Sequence, residues 1–312
     1  MRRPIALLCA LGALAALPAS ASAQGIGISD QTAATFANPF FPQLKSKYAR
    51  LITPYDTATD PVQLAKAQAW VQGAESRRQR VLIHFEHSKK SAAEANRLPS
   101  VAAYTKQIKA FKKLFPKVRE YGVWNEVNRK RDRARGVGQP TAGKYQRLAD
   151  YYKAMRKVFP GSRYRIVALD ILDENNVRPA VTHLTRFQKA IGSKLTRSMV
   201  LGFHNYSDTN RFSQSRTRAV LKAFKGKEVW LTETGGLVRF GTRFPYDEAR
   251  AARALGCMFR LAKSNKKIKR LYIYNYNAPF RPDDPFDAGL VGADGQPRPG
   301  FAIVSQRKVG RC

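Results

Sequence analysis

The stretch "YGVWNEVN", residues 121–128, is an apolar, aromatic and β-branched run that breaks abruptly into polar groups. A buried strand reads this way where it opens into a loop. The stretch "VWLTETGG", residues 229–236, repeats the pattern and ends in two glycines. Each places a glutamate, Glu126 and Glu233, at the C-terminal end of a predicted strand.

Outward from these two, similar runs recur along the chain: "GIGIS" at 25–29, "ARLIT" at 49–53, "RVLIHFE" at 80–86, "REYGVWN" at 119–125, "YRIVALDI" at 164–171, "MVLGFHNY" at 199–206, "EVWLTE" at 228–233 and "RLYIYNY" at 270–276. Helical patterns lie between them. In the clearest, Tyr145, Leu148, Ala149, Tyr152, Met155 and Phe159 recur at three and four residues and so share one face. Asp60-Pro61 reads as an N-cap with proline in the first turn, and Ser100 and Thr141 read as further caps. Eight strands alternating with helices predict an α/β chain folded as a (β/α)8 TIM barrel. No Ser/Gly-rich or Pro-rich linker interrupts it, so residues 24–312 are expected to form a single domain.

The first residues are set apart from this pattern. Arg2 and Arg3 precede an apolar run from Ile5 to Leu17, and "ASA" at 21–23 offers small residues for cleavage before Gln24. Residues 1–23 therefore read as a signal peptide, and the mature chain is expected to be secreted or extracytoplasmic, without a membrane span. Cys9 leaves with that peptide. The remaining Cys257 and Cys312 form an even pair, which an oxidising compartment would join in a disulfide between a late helix and the last residue. There is no CxxC or Cys/His cluster of the kind a structural zinc site uses.

In a barrel of this kind, chemistry gathers at the C-terminal strand ends, where Glu126 would close strand four and Glu233 strand seven. Two carboxylates so presented suit acid-assisted cleavage of a glycosidic bond, because one must donate a proton while the other stays ionised. In the order and spacing of these motifs the chain resembles the retaining glycoside hydrolases of clan A, whose acid/base follows an asparagine on strand four and whose nucleophile ends strand seven. The resemblance spans nearly the whole mature chain and does not single out a family. It implies Glu126 as acid/base with a raised pKa, Glu233 as nucleophile, Asn125 on the sugar 2-hydroxyl and Arg50 as the cation beside the nucleophile. It also implies that His204 and Tyr206, facing one side of strand six, stand beside Glu233. Two departures are visible: Val127 replaces the proline common after Asn-Glu, and strand eight lacks the tryptophan that floors the sugar site. Tyr276, or else Tyr274, is expected to supply a smaller stacking face.

"HFEHS" holds His84, Glu86 and His87, but "GIGISDQ" has no histidine pair to complete a barrel metal site. His84 and Glu86 are expected to line the mouth as substrate contacts, with no metal and no organic cofactor. The formal charge of +34 draws the chain towards polyanions. "RKRDRAR" at 129–135 follows Glu126 and would put basic residues on the catalytic face, so the polysaccharide or oligosaccharide substrate could be acidic. No helix-turn-helix, zinc-finger or RNP-like string supports a dedicated nucleic-acid site. The expected protein is a monomeric, secreted glycosidase acting on a β-linked glycan. The competing classes are a barrel that binds glycan without cutting it and a polyanion-binding barrel at the cell surface.

Overall fold

The computed structural model describes residues 24–133, 136–281 and 283–312. The expected signal peptide with Arg2, Arg3 and Cys9 lies outside the described residues, as does Arg135 of the basic loop. The eight barrel strands are β1 (Gly25–Ser29), β2 (Tyr48–Pro54), β3 (Arg80–Glu86), β4 (Glu120–Gly122), β5 (Arg165–Leu172), β6 (Val200–His204), β7 (Glu228–Thr234) and β8 (Ile268–Ile273). Each is parallel to its neighbours, and β8 pairs back onto β1 to close the barrel. The eightfold alternation predicted from the sequence is thus a closed (β/α)8 barrel. A small antiparallel ribbon, Arg239–Phe240 with Phe286–Asp287, is added above it.

Outside the barrel the helices lay apolar faces on the strands. Helix Pro61–Ser76 contributes Trp70 and Val71, helix Val101–Leu114 contributes Tyr104, Ile108 and Phe111, and helix Tyr145–Val158 contributes Leu148, Tyr152 and Met155. Burying each such large side chain stabilises the fold by about 2–3 kcal/mol. Asp60 and Ser100 cap helices as expected, accepting from the amides of Val62 and Gln63 and of Ala103. Thr141 does not: its helix starts at Tyr145 without a side-chain cap, and the Thr141 hydroxyl donates to the Val127 carbonyl at 2.9 Å. Cys257, on helix Glu248–Lys263, is joined to Cys312 by a disulfide with the Cα atoms 4.7 Å apart. Among the described residues no helix is long and apolar enough to cross a membrane.

Inside the barrel, inward side chains stack in layers. At the floor, the Arg270 guanidinium binds Glu120 (Nη2–Oε1 3.0 Å) and lies 3.8 Å from the centre of the Trp230 ring, while Arg80 donates to Glu120 at 2.8 Å. Above it sits a dry layer of Leu82, Val167, Val200, Trp230 and Tyr272. The next layer is polar and holds Arg50, His84 and Asp170, all fully buried. Glycine makes this layer possible, because a Cβ at Gly122 would overlap the His84 ring and one at Gly202 would overlap the Asp170 carboxylate.

Three strands end earlier than the sequence pattern suggests. β4 stops at Gly122, yet the chain stays bonded to both neighbours, with the Asn125 amide on Phe85 O at 2.8 Å and the Val127 amide on Asp170 O at 2.9 Å. β6 stops at His204, so Tyr206 opens a short helical turn, Tyr206–Asn210, and does not share a strand face with His204. β8 stops at Ile273, which leaves Tyr274 and Tyr276 beyond the sheet.

Candidate active site

Two local irregularities turn the glutamates to the mouth. Glu126 has φ +44°, a left-handed conformation that is sparsely populated outside glycine and asparagine. Between β6 and β7 the register slips, so that Gly202 pairs with Trp230 but His204 pairs with Glu233 instead of Thr232. The inward alternation Trp230, Thr232 would otherwise send Glu233 outward. The slip acts as a bulge, which re-aims a side chain at a barrel rim.

Arg50 organises the buried layer beneath. Its Nη1 donates to Glu233 Oε1 at 2.7 Å and to Ser29 Oγ at 3.1 Å, and its Nη2 donates to Asn125 Oδ1 at 2.7 Å and to Asp170 Oδ2 at 2.9 Å. Its Nε donates to His84 Nδ1 at 2.6 Å, which fixes His84 as an acceptor on that side. Burial, reinforced by the Arg50 charge, lowers the His84 pKa well below the ordinary value, so this imidazole is neutral. The Tyr206 hydroxyl donates to the other Glu233 oxygen at 3.2 Å. Glu233 therefore has a donor on each oxygen, one of them charged.

His204 stands between the carboxylates. Its Nε2 lies 3.1 Å from Asp170 Oδ2, and its Nδ1 lies 3.1 Å from Glu126 Oε1 and 3.6 Å from Glu233 Oε2. Burial alone would lower its pKa, but the Asp170 and Glu233 charges outweigh that and raise it to about 10, making it an imidazolium that donates on both sides. Burial likewise opposes the charge on Asp170, yet the His204 and Arg50 charges hold its pKa below the usual carboxylate range.

Glu126 departs from expectation. Burial pushes its pKa up, as a proton donor needs, but the bond from His204 and the Arg129 charge bring it down to about 2. Arg129 Nη1 donates to Glu126 Oε2 at 3.0 Å. The proton expected on Glu126 is thus held one hydrogen bond away, on His204.

Above the pair is a cleft of about 820 Å³ whose lining includes Asn125, Glu126, Arg129, Tyr206, Glu233, Tyr274 and Phe286. Tyr206 and Tyr274 pack their rings 6.1 and 5.9 Å from that of Phe286, forming an aromatic wall. The structure brings Glu126, Glu233, Asn125, Arg50, His204 and Tyr206 together. It does not bring Tyr276, His84 or Glu86 to the cleft. Tyr276 is buried with its hydroxyl on Asn38 Oδ1 at 2.8 Å, so the aromatic face on the cleft belongs to Tyr274. His84 lies beside Arg50 in the buried polar layer, because the strand alternation points it into the barrel below the mouth. Glu86 turns aside to Lys89 at 2.8 Å and Gln139 at 3.3 Å.

Asp170 and Arg129 were not singled out from the sequence, whereas Tyr274 was the second choice for the stacking face. Asp170 had a signal, as an ionisable residue inside the otherwise apolar run "IVALDI", residues 166–171. Arg129 belongs to the basic loop "RKRDRAR", but Arg131 in the same loop turns inward to Asn96 and to the Gly136 and Gly138 carbonyls. Glu126, His204 and Glu233 offer atoms within 4.8 Å of one another, the kind of grouping that could hold a metal ion. Here, however, an imidazolium has no free lone pair, and Arg50, Arg129 and Tyr206 already donate to the carboxylates, so a cation would have to displace a proton and two guanidinium contacts.

No protein-family model matches the sequence, and no curated protein is similar to it by sequence. Solved structures share its fold. The GH5_18 protein of Streptomyces cattleya, in complex with GlcNAc, superposes with a TM-score of 0.65 at 14% identity, over 92% of this chain and 80% of that one. Xylanase 10B of Thermotoga maritima gives 0.61 at 13% identity, over 91% and 94%. A family 39 glycoside hydrolase of Bacteroides cellulosilyticus gives 0.60 at 14%, over 91% and 63%. The likeness is one of fold, spread over several glycoside hydrolase families, and no single family stands out.

Proposed function

We propose that this protein is a secreted retaining glycoside hydrolase acting on a β-linked polysaccharide or oligosaccharide. The observation that carries this reading is the facing of Glu126 and Glu233 across His204 at the barrel mouth, with oxygens of the two carboxylates within 4.8 Å. That closeness is compatible with a retaining pair, whose carboxyl groups stand about 5–5.5 Å apart. Fold neighbours solved with GlcNAc and with Manβ1-4GlcNAc support a saccharide as the occupant of the cleft. The Cys257–Cys312 disulfide supports an oxidising compartment.

In this reading Glu233, oriented by Arg50 and Tyr206, attacks the anomeric carbon as the glycosidic C–O bond breaks. The leaving oxygen takes a proton from Glu126, which has received it from His204 Nδ1. Water then gives a proton to Glu126 and attacks the glycosyl-Glu233 ester, releasing the sugar with its configuration retained and restoring the proton to the Glu126–His204 pair. Two sites this close titrate as a pair, so the relevant quantity is the single proton they share.

The test is to incubate the protein with β-glucans, xylans, mannans, galactans and uronate polymers and follow the products by NMR. Retained anomeric configuration is expected. Glu233→Ala should abolish turnover, and Glu126→Ala should keep its first step on substrates with very good leaving groups and regain part of the second with azide. Inverted products, or no product from any polymer, would refute the proposal.

A further inference from the structure

At the far end of the cleft, loops after β5, β6 and β7 converge on one neutral side chain. Asn175 Oδ1 accepts from Arg211 Nη2 at 3.0 Å and from Arg243 Nη1 at 3.1 Å. Arg216 Nη2 reaches the Asn175 carbonyl at 3.0 Å and is balanced by Asp208 at 3.6 Å. Arg211 and Arg243 take part in no ion pair among the described residues; Arg211 instead lies 5.1 Å from the centre of the Phe244 ring. The nearby Asp173 carboxylate is spent on the Ser207 and Asp208 amides. Asn175 and Arg243 both line the cleft that holds Glu126 and Glu233.

Two guanidinium groups sharing one amide oxygen repel each other, and a neutral acceptor cannot compensate either charge. Burial and the neighbouring Arg216 and Arg243 charges lower the Arg211 pKa, the direction expected where positive charge is in excess. Each guanidinium retains unused N–H donors in a planar fork that matches a carboxylate or sulfate bidentately. We propose that Arg211 and Arg243 form a subsite for an anionic substituent, a carboxylate or a sulfate ester, carried by the glycan in the cleft. The substrate class becomes an acidic β-linked glycan, an assignment that rests on the saccharide-cleaving reading of the same cleft. It also locates the anion recognition away from "RKRDRAR", whose Arg129 is already committed to Glu126.

The test is calorimetric binding in a Glu233→Gln background, which prevents turnover. The probes are glucuronate-bearing xylo-oligosaccharides, oligomannuronate and sulfated galacto-oligosaccharides, each against its uncharged twin. At least one acidic probe should bind about tenfold more tightly than its twin, and whether it is a uronate or a sulfate identifies the anion. The preference should vanish in Arg211→Gln/Arg243→Gln and persist in part in Arg211→Lys/Arg243→Lys, with thermal unfolding confirming that both fold. Equal affinity within every pair, or a preference that survives the glutamine double variant and so belongs to the general positive field, would overturn the inference. Failure of the wild type to release product from any glycan would count against hydrolysis alone, since the binding preference is read independently.

Discussion

Replacing His204 by glutamine tests the buried charge network without assuming any activity. His204 has a pKa of about 10 in the folded protein, against an ordinary value of 6.5. Because the folded value is raised, its stabilisation is fully present below about pH 6.5 and is lost as pH rises through about 10. Within that window the native state holds one more proton than the unfolded chain, so stability should fall by about 1.4 kcal/mol per pH unit from this group alone. Over the whole window the ceiling is about 5 kcal/mol, reached only if Asp170 and Glu126 keep their charges throughout. Urea denaturation of wild type and His204→Gln at several pH values from about 7 to 9.5 reads the difference in slope, which cancels lysines and tyrosines common to both. The variant will also be less stable at every pH, since Asp170 loses a partner, but that offset does not enter the slope. Parallel stability curves would refute the assignment of the proton to His204.

Three further outcomes are expected. Gly122→Ala should cost at least about 3 kcal/mol in chemical denaturation, because the added methyl meets the His84 ring where neither Arg50 nor the strand can yield; a cost below about 1 kcal/mol would show a softer layer. Reducing the Cys257–Cys312 bridge, whose sequence separation is 55, should lower stability by about 4 kcal/mol through the freed unfolded chain, checked by denaturation with and without reductant. Tyr206→Phe removes one donor from Glu233 and should lower kcat on an aryl β-glycoside by at least about tenfold, with little change in the thermal midpoint.

Much of this was legible in the sequence because strand alternation is a local signal. The runs at 25–29 and 80–86 coincide with β1 and β3 residue for residue, and Arg50, His204 and Glu233 follow from their positions on strands. What was hidden depends on departures from regularity. The register slip before Glu233 and the left-handed Glu126 leave no periodic trace, and the early end of β8 moves the aromatic face from Tyr276 to Tyr274. The lowered pKa of Glu126 is hidden from the sequence for a related reason. Burial could be anticipated from the motif, whereas the Arg129 contact three residues on and the charge on His204 depend on how loops and strands meet.

The sealed floor of the barrel has a bearing on timing. With Arg270 and Glu120 closing one end beneath a dry apolar layer, the inner histidines and Asp170 face bulk water through the cleft. A glycan lying across that opening would shut the vessel with whatever proton count it had at that moment. Solution pH would then act on the free protein and not on the occupied one, so kcat/KM should carry the pH dependence while kcat stays nearly flat. The chain would read acidity once per catalytic cycle, at the door.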